Sequence, residues 1–309
     1  MRQGLLHEFR AMASPCRVRI DGVSALDSRA SAAAGQAVAE VHRIEVKYSR
    51  YRADSILSQV NAAAGTGRPV AIDQETVDLL QFAARLHDAS GGLFDITSGV
   101  LRRCWDFRAA RPPADADIAA VLPLIGWQHV AFDDAQVALP MPGMELDLGG
   151  IGKEYAADRA ATLLREAGYE HGYVNLGGDI RLLGPMSNGS PWLLGIAHPR
   201  IAGEFAADVS LSHGALATSG DYERHVDFAG RRYCHILNPR TGWPAHDWQS
   251  VSVVAPACLA AGALATIAML KGREAPQFLR DQGVAYVLVD AAGQVTRWVP
   301  VNAAVPPAD

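Results

Sequence analysis

Between Arg29 and about Tyr48 the apolar residues Ala34, Val38, Val41, Ile44 and Tyr48 recur every three or four positions, which predicts a helix with one buried stripe. Asp73 stands where it can cap a second helix. Leu79, Phe82, Ala83 and Leu86 share that helix's inner face, and Gly91 with Gly92 ends it. A third helix opens after Gly149 and Gly150, carries Ala156, Ala160, Leu163 and Ala167 on one side, and closes at Gly168. Short apolar or alternating runs predict strands over 16–20, 172–176, 179–183, 192–196, 207–211, 232–237 and 250–254. The C-terminal part reads as a helix from Pro256 to Leu270, a short helix to Gln282, and a hairpin of 285–290 and 294–299 around Ala291 to Gly293. Helices and strands mix without a regular βαβ count, so the expected fold class is α+β rather than a doubly wound sheet. No repeat or linker divides the chain, and a single domain over 1–309 is expected. The Pro- and Ala-rich stretch from Ala109 to Ala116 is expected to be a surface loop.

The composition is that of a globular chain: 309 residues, 49% hydrophobic and 20% charged, enough to bury a sizeable core. Lys and Arg number 28 against 33 acidic residues, a net charge of −5, so no strong positive field exists to hold a polyanion and nucleic acid is disfavoured as a partner. Cys16, Cys104, Cys234 and Cys258 lie far apart and form no CxxC pair, which removes the usual zinc and redox signatures and points to free thiols in a reducing compartment. Charges at Arg2, Glu8 and Arg10 interrupt any apolar run at the N-terminus, and no later segment reaches the roughly 18 apolar residues of a spanning helix. A cytoplasmic protein without membrane insertion is the expectation.

The densest chemical signal runs from Leu146 to Asp158, a strand ending in a glycine turn that opens a helix. Such a helix start offers free N–H groups and positive dipole to an anion, typically a phosphate. A P-loop would need glycine at Asp147 and Ser or Thr at Glu154; a dinucleotide fingerprint on Gly150 and Gly152 would need glycine at Tyr155. Both are excluded, and a turn whose glycines serve tight geometry alone stays open beside the anion site. Downstream, 217–224 and 235–242 place Ser219, Asp221, Tyr222, His235 and Arg240 on short loops flanking strands, where side chains can converge on a ligand. Alone, His235 would read as a packed histidine and Asn238 to Gly242 as a turn; their occurrence together in one chain is what points to a site.

In chain order these segments resemble the motifs of the ApbE family, the FAD:protein FMN transferases. The matches are Ala11 to Ser14; Ser49, Tyr51, Asp54, Ser55, Ser58 and Asn61; Gly91 to Thr97; and Asp147 to Lys153 with Asp158. Asn175 to Asp179, Ser219 to Arg224, His235 to Gly242 and Ala261 to Thr266 complete the series. The resemblance implies a T-fold-like architecture of mixed, largely antiparallel sheets with packed helices. It implies FAD as substrate, with Met12, Tyr48 and Tyr51 on its rings, Leu93, Phe94 and Asp95 lining the pocket, and Asp147, Lys153 and Ser219 among the residues that hold it. It also implies Mg²⁺ on the pyrophosphate, held by the Gly150 carbonyl and the Thr266 hydroxyl. The protein partner would be an acceptor flavoprotein whose threonine hydroxyl attacks the FMN phosphorus while AMP leaves. His235 matches the family histidine and is the candidate base, with Asp221 as its orienter.

One departure bears on the metal. The family carries Asp and Thr four residues apart on a helix, a turn of about 400° that puts both on one face. Here the segment reads Ala261, Gly262, Ala263, Leu264, Ala265, Thr266, and the carboxylate is missing. Mg²⁺ prefers carboxylate and phosphate oxygens, so its binding would lean on the pyrophosphate and water. A mid-helix glycine costs about 1 kcal/mol relative to alanine, so either the ligand or another acid is expected to fill that space. Glu154 stands where many members have glycine and is expected to have a simple surface role; Asn238 replaces a common Asp. Restoring the acid by Gly262→Asp is expected to strengthen metal dependence. Three readings remain: the transferase, favoured because His235, Thr266 and the 219–221 loop persist; a non-catalytic FAD binder; and an FAD pyrophosphatase giving FMN and AMP.

Overall fold

Capping residues start the helices where the sequence puts them. In the computed structural model, which describes residues 4–109 and 111–300, Asp27 accepts from Ala30 N (3.0 Å) and begins α1 (Ser28–Tyr48). Arg2, and Ala110 within the expected loop, lie outside the described residues. Ser55 caps α2 (Ile56–Ala62), and Asp73 caps α3 (Gln74–Ser90), which Gly91 ends in the left-handed conformation. The Ala109–Ala116 loop is shorter than expected: α4 (Asp115–Val121) begins inside it, because Asp117 accepts from Ala114 N (3.3 Å) and two acids favour the positive helix start. The later helices are α5 (Gly152–Glu166), α6 (Cys258–Lys271) and α7 (Ala275–Asp281). Among the described residues no helix is long and apolar enough to cross a membrane.

The strands are β1 (Gly4–Ala11), β2 (Ser14–Asp21), β3 (Val70–Ala71), β4 (Ala131–Phe132), β5 (Gln136–Ala138), β6 (Gly172–Leu176), β7 (Asp179–Gly184) and β8 (Trp192–Ala197). They continue with β9 (Phe205–Leu211), β10 (Ala215–Gly220), β11 (His225–Phe228), β12 (Arg231–Cys234), β13 (Trp248–Ala255), β14 (Ala285–Asp290) and β15 (Val295–Trp298). Eight of them form one sheet in the order β1-β2-β6-β7-β10-β13-β14-β15, with every neighbouring pair antiparallel, and the fold is the expected α+β. Four expectations change. The strand expected to lead from Leu146 into the glycine turn is irregular backbone. β1 was not anticipated, because its partner turn Met12–Ala13 carries no turn residue. Residues 217–220, the first half of the 217–224 segment expected as loop, belong to the central strand β10, and the strand expected over 232–237 stops at Cys234.

α1 packs on α5 and α5 on α6, and α6 lies across β10 and β13. Small residues Ala261, Gly262, Ala263 and Ala265 let α6 come close to both. Side chains alternate along β10: Ala217 meets Ala261 of α6, while Leu216 joins Leu182, Leu194 and Ile196 under the β8–β9 ribbon. By the same alternation Ser219 faces α6, where its hydroxyl lies 3.0 Å from that of Thr266.

No side chain of its own caps α6. Asp158, on α5, does so instead, accepting from Cys258 N and Leu259 N at 2.9 Å each, with Arg181 at 3.0 Å. This carboxylate fastens the two helices that face the cavity described below. Asp158→Ala should therefore lower stability by about 1–2 kcal/mol, the upper part of the range for a lost cap. Urea denaturation is the check, and an unchanged midpoint would refute the clamp.

Candidate active site

At one end of the sheet, the β1–β2 turn, the ends of α1 and β10, the start of α5 and the segment after β12 enclose a cavity of about 610 Å³. Of the site residues expected from the sequence, Met12, Tyr48, Tyr51, Leu93, Phe94, Asp95, Asp147, Gly150, Lys153, Ser219, Tyr222, His235 and Thr266 line it, and Asp221 and Arg240 do not. The lining residues come from segments that only the fold brings together.

The mouth is built by backbone and aromatic groups. Met12 and Ala13 have φ of 51° and 62°, forming the two-residue turn between paired Ala11 and Ser14. Such a turn needs left-handed residues and normally uses Asn or Gly; strain of this kind gathers at functional sites. Glu45 holds it by accepting from Met12 N at 2.6 Å. Tyr51 is 79% exposed at the rim, with the Arg50 guanidinium 6.0 Å from its ring centre. Tyr48 is buried and its hydroxyl meets Thr76 at 3.1 Å, so only part of the ring is available. Phe94 is also buried, and its ring approaches Gly150 so closely that a β-carbon there would lie 3.3 Å from it. Asp95 lines the wall but serves the scaffold: it accepts from Thr97 N, Thr97 Oγ1 and Trp127 N at 2.6 to 3.0 Å and starts the 3₁₀ turn Ile96–Arg103.

The α5 start has no side-chain cap at Ile151, as an anion site requires. Around it, charges are already paired. Asp147 accepts from Arg50 Nη1 (2.8 Å), Arg102 Nε (3.0 Å) and Gly149 N (2.8 Å). Burial opposes its ionisation, but Arg102 and Arg50 outweigh that and hold the carboxyl below the usual range. Lys153 Nζ lies 2.7 Å from Asp179 Oδ2, and Asp179 Oδ1 accepts from Thr218 N at 3.0 Å. Burial disfavours the charge on Lys153, yet Asp179 and Glu154 raise its pKa, so it stays protonated. Arg50, Arg102 and Asp179 were not singled out as site residues; their pairing is long-range and leaves no local spacing to find.

His235 has a buried Nδ1 without a hydrogen-bond partner. Burial and then the nearby Arg224 and Arg102 push its pKa down to about 4, so the imidazole is neutral at neutral pH. Asp221 does not orient it. Both its oxygens accept from Arg200, at 2.7 and 2.6 Å, because a buried carboxylate takes the nearest bidentate cation. Arg240 also leaves the cavity and donates to the Gly91 carbonyl.

Glu154 corrects the expectation of a surface role. It is 8% exposed, and its Oε2 is buried without a hydrogen-bond partner. Its side chain fills the room beside Gly262: a β-carbon built there would fall 2.5 Å from Glu154 Cγ and 2.9 Å from Oε1. Gly262→Asp would thus collide with Glu154 rather than restore a free acid. Burial and Asp179 push the Glu154 carboxyl up.

A cavity that joins an uncapped helix start, a fixed lysine and a neutral histidine is that of a protein handling an anionic small molecule. The sequence profile of the ApbE family matches residues 12–295, and the chain belongs to that family. It is 35% identical over 283 residues to the FAD:protein FMN transferase of Treponema pallidum, covering 84% of this chain and 76% of that protein. The corresponding protein of Klebsiella pneumoniae is 30% identical over 296 residues, covering 92% and 84%. The crystal structure of the ApbE protein from Thermotoga maritima superposes with a TM-score of 0.87 at 30% identity, over 96% of this chain and 97% of that one.

The depressed His235 pKa makes stability depend on pH. Between about pH 4 and its ordinary 6.5 the unfolded chain binds this proton and the folded chain does not. Its contribution to stability is full above that window and is lost as pH falls through it. An NMR titration of His235 should give a midpoint near 4, and stability should climb across the window more steeply in the wild type than in His235→Asn. A midpoint at the ordinary value would overturn the burial argument.

Proposed function

We propose that this protein transfers FMN from FAD to a threonine hydroxyl of an acceptor flavoprotein, releasing AMP. The observation that carries this reading is the convergence of the motif residues, from Met12 to Thr266, on one cavity within the ~300–1,000 Å³ range of ligand pockets. The activity named for the relatives supports it. In this reading the FAD pyrophosphate lies against the start of α5, where backbone N–H groups, the helix dipole and Lys153 offset its charge. Met12, Tyr48 and Tyr51 take the flavin rings, beside Leu93 and Phe94. Asp147 acts through the two arginines it positions, and Ser219 through Thr266. The threonine oxygen bonds to the FMN phosphorus as the bond to the AMP oxygen breaks. AMP leaves with that electron pair, and neutral His235 takes the hydroxyl proton.

The oxygen donors on the α5–α6 wall, with Glu154 Oε2 lacking a partner, suit a hard divalent cation. Mg²⁺ would neutralise the charge that grows on the pyrophosphate. The Gly150 carbonyl and the Thr266 hydroxyl are the groups that would hold it. Among the described residues no three His, Cys, Asp or Glu side chains gather as a metal centre, so substrate oxygens and water would complete the shell. A cytoplasmic setting belongs to this reading and is supported by the unpaired Cys16, Cys104, Cys234 and Cys258.

The test is incubation with FAD, Mg²⁺ and a threonine-bearing acceptor flavoprotein. AMP should appear by chromatography, and flavin should stay on the acceptor after denaturation. His235→Asn should slow this by roughly 10²–10⁴-fold while FAD still binds. AMP without any acceptor would make the protein a pyrophosphatase, and bound flavin without AMP a carrier.

A further inference from the structure

The two departures from the family pattern, far apart in sequence, meet in space. Gly262 on α6 leaves a gap, and Glu154 reaches into it from α5, its methylene occupying the place of any side chain at 262. Other carboxylates that line the cavity are engaged or exposed. Glu45 holds Met12 N, Asp95 starts the 3₁₀ turn, Asp147 binds two arginines, Asp179 is paired with Lys153, and Glu223 lies open to solvent. Glu154 alone among these is both buried and left with an oxygen that has no hydrogen-bond partner or ion pair. A buried carboxylate in that condition can keep its charge only where a cation meets it. The same cavity wall carries the Thr266 hydroxyl, one helical turn from Gly262.

We propose that Glu154 is the carboxylate ligand of the divalent cation in this cavity, supplying from α5 the oxygen that position 262 on α6 does not. The proposal rests on the reading of the cavity as an FAD site, and names the residue that makes its metal position complete. A carboxylate oxygen, the Thr266 hydroxyl and pyrophosphate oxygens are the donor set of Mg²⁺ or Mn²⁺. The position of Glu154 one residue after Lys153 ties metal and phosphate binding to the same turn of helix.

Mn²⁺ serves as the probe, titrated into the full-length protein saturated with FAD and followed by the loss of the free-ion paramagnetic resonance signal. FAD affinity is measured separately without metal. Glu154→Gln should weaken Mn²⁺ binding by at least about tenfold, the loss that even outer-sphere partners cause, while metal-free FAD affinity and the melting temperature hold. The exchange Glu154→Gly with Gly262→Asp should bring Mn²⁺ affinity back to within a few-fold of wild type. Gly262→Asp alone should lower the melting temperature, since its β-carbon meets Glu154. Unchanged Mn²⁺ affinity in Glu154→Gln, or a wild type that binds FAD but no Mn²⁺, overturns the metal assignment and leaves the FAD reading standing. A wild type that binds no FAD overturns that reading and the assignment with it.

Discussion

A charge taken out of water must find an opposite charge or a set of donors, and around this cavity that demand fixes the positions of the polar side chains. Asp147 is met by Arg50 and Arg102, Asp179 by Lys153, and Asp221 by Arg200. Each pair joins segments distant in sequence, so each is also a tie between elements: the end of α1 to the loop before α5, α5 to the start of β7, the end of β10 to the β8–β9 connection. The cost of burying these groups is met before any ligand arrives. What faces the cavity is a set of fixed charge pairs around the helix start and a neutral His235, in place before any ligand binds.

The geometry of that arrangement depends on two helices keeping their spacing. α5 brings Gly150, Lys153 and Glu154; α6 brings Thr266 and the gap at Gly262. Asp158 caps α6 from α5 with two backbone hydrogen bonds, and the Ser219–Thr266 contact pins α6 to β10. The motif aspartate is therefore a fastening rather than a contact surface. Its effect on the cavity runs through helix placement, in the way a second layer of residues holds a site within tenths of an ångström.

Local signals carried much of this into the sequence. Asp27 and Asp73 start helices that the apolar period of three to four already outlines, and the last hairpin follows from its alternation. Of the motif residues read by resemblance, those from Met12 to Thr266 expected to touch the ligand line one cavity, whereas Asp221 and Arg240 turn away from it and Asp158 serves as a helix cap. What failed was whatever depends on long-range pairing. β1 is a strand because β2 is beside it, and the Met12–Ala13 turn offers no Asn or Gly to announce it. The 217–220 stretch is small and polar and looks like loop, yet it belongs to β10, which is central because β7 and β13 flank it. Asp221 followed its nearest guanidinium, not its neighbour in the motif. Glu154 could be placed only by knowing that α5 packs on α6. The one local hint was a glycine in mid-helix, whose cost signals that something else needs the room.

That shared volume also restricts how such a sequence can change over generations. Residues 154 and 262 compete for one space, so a form bearing an acid on both helices strains the α5–α6 contact. The sterically open route runs through a chain with glycine at both places, well folded but short of a carboxylate.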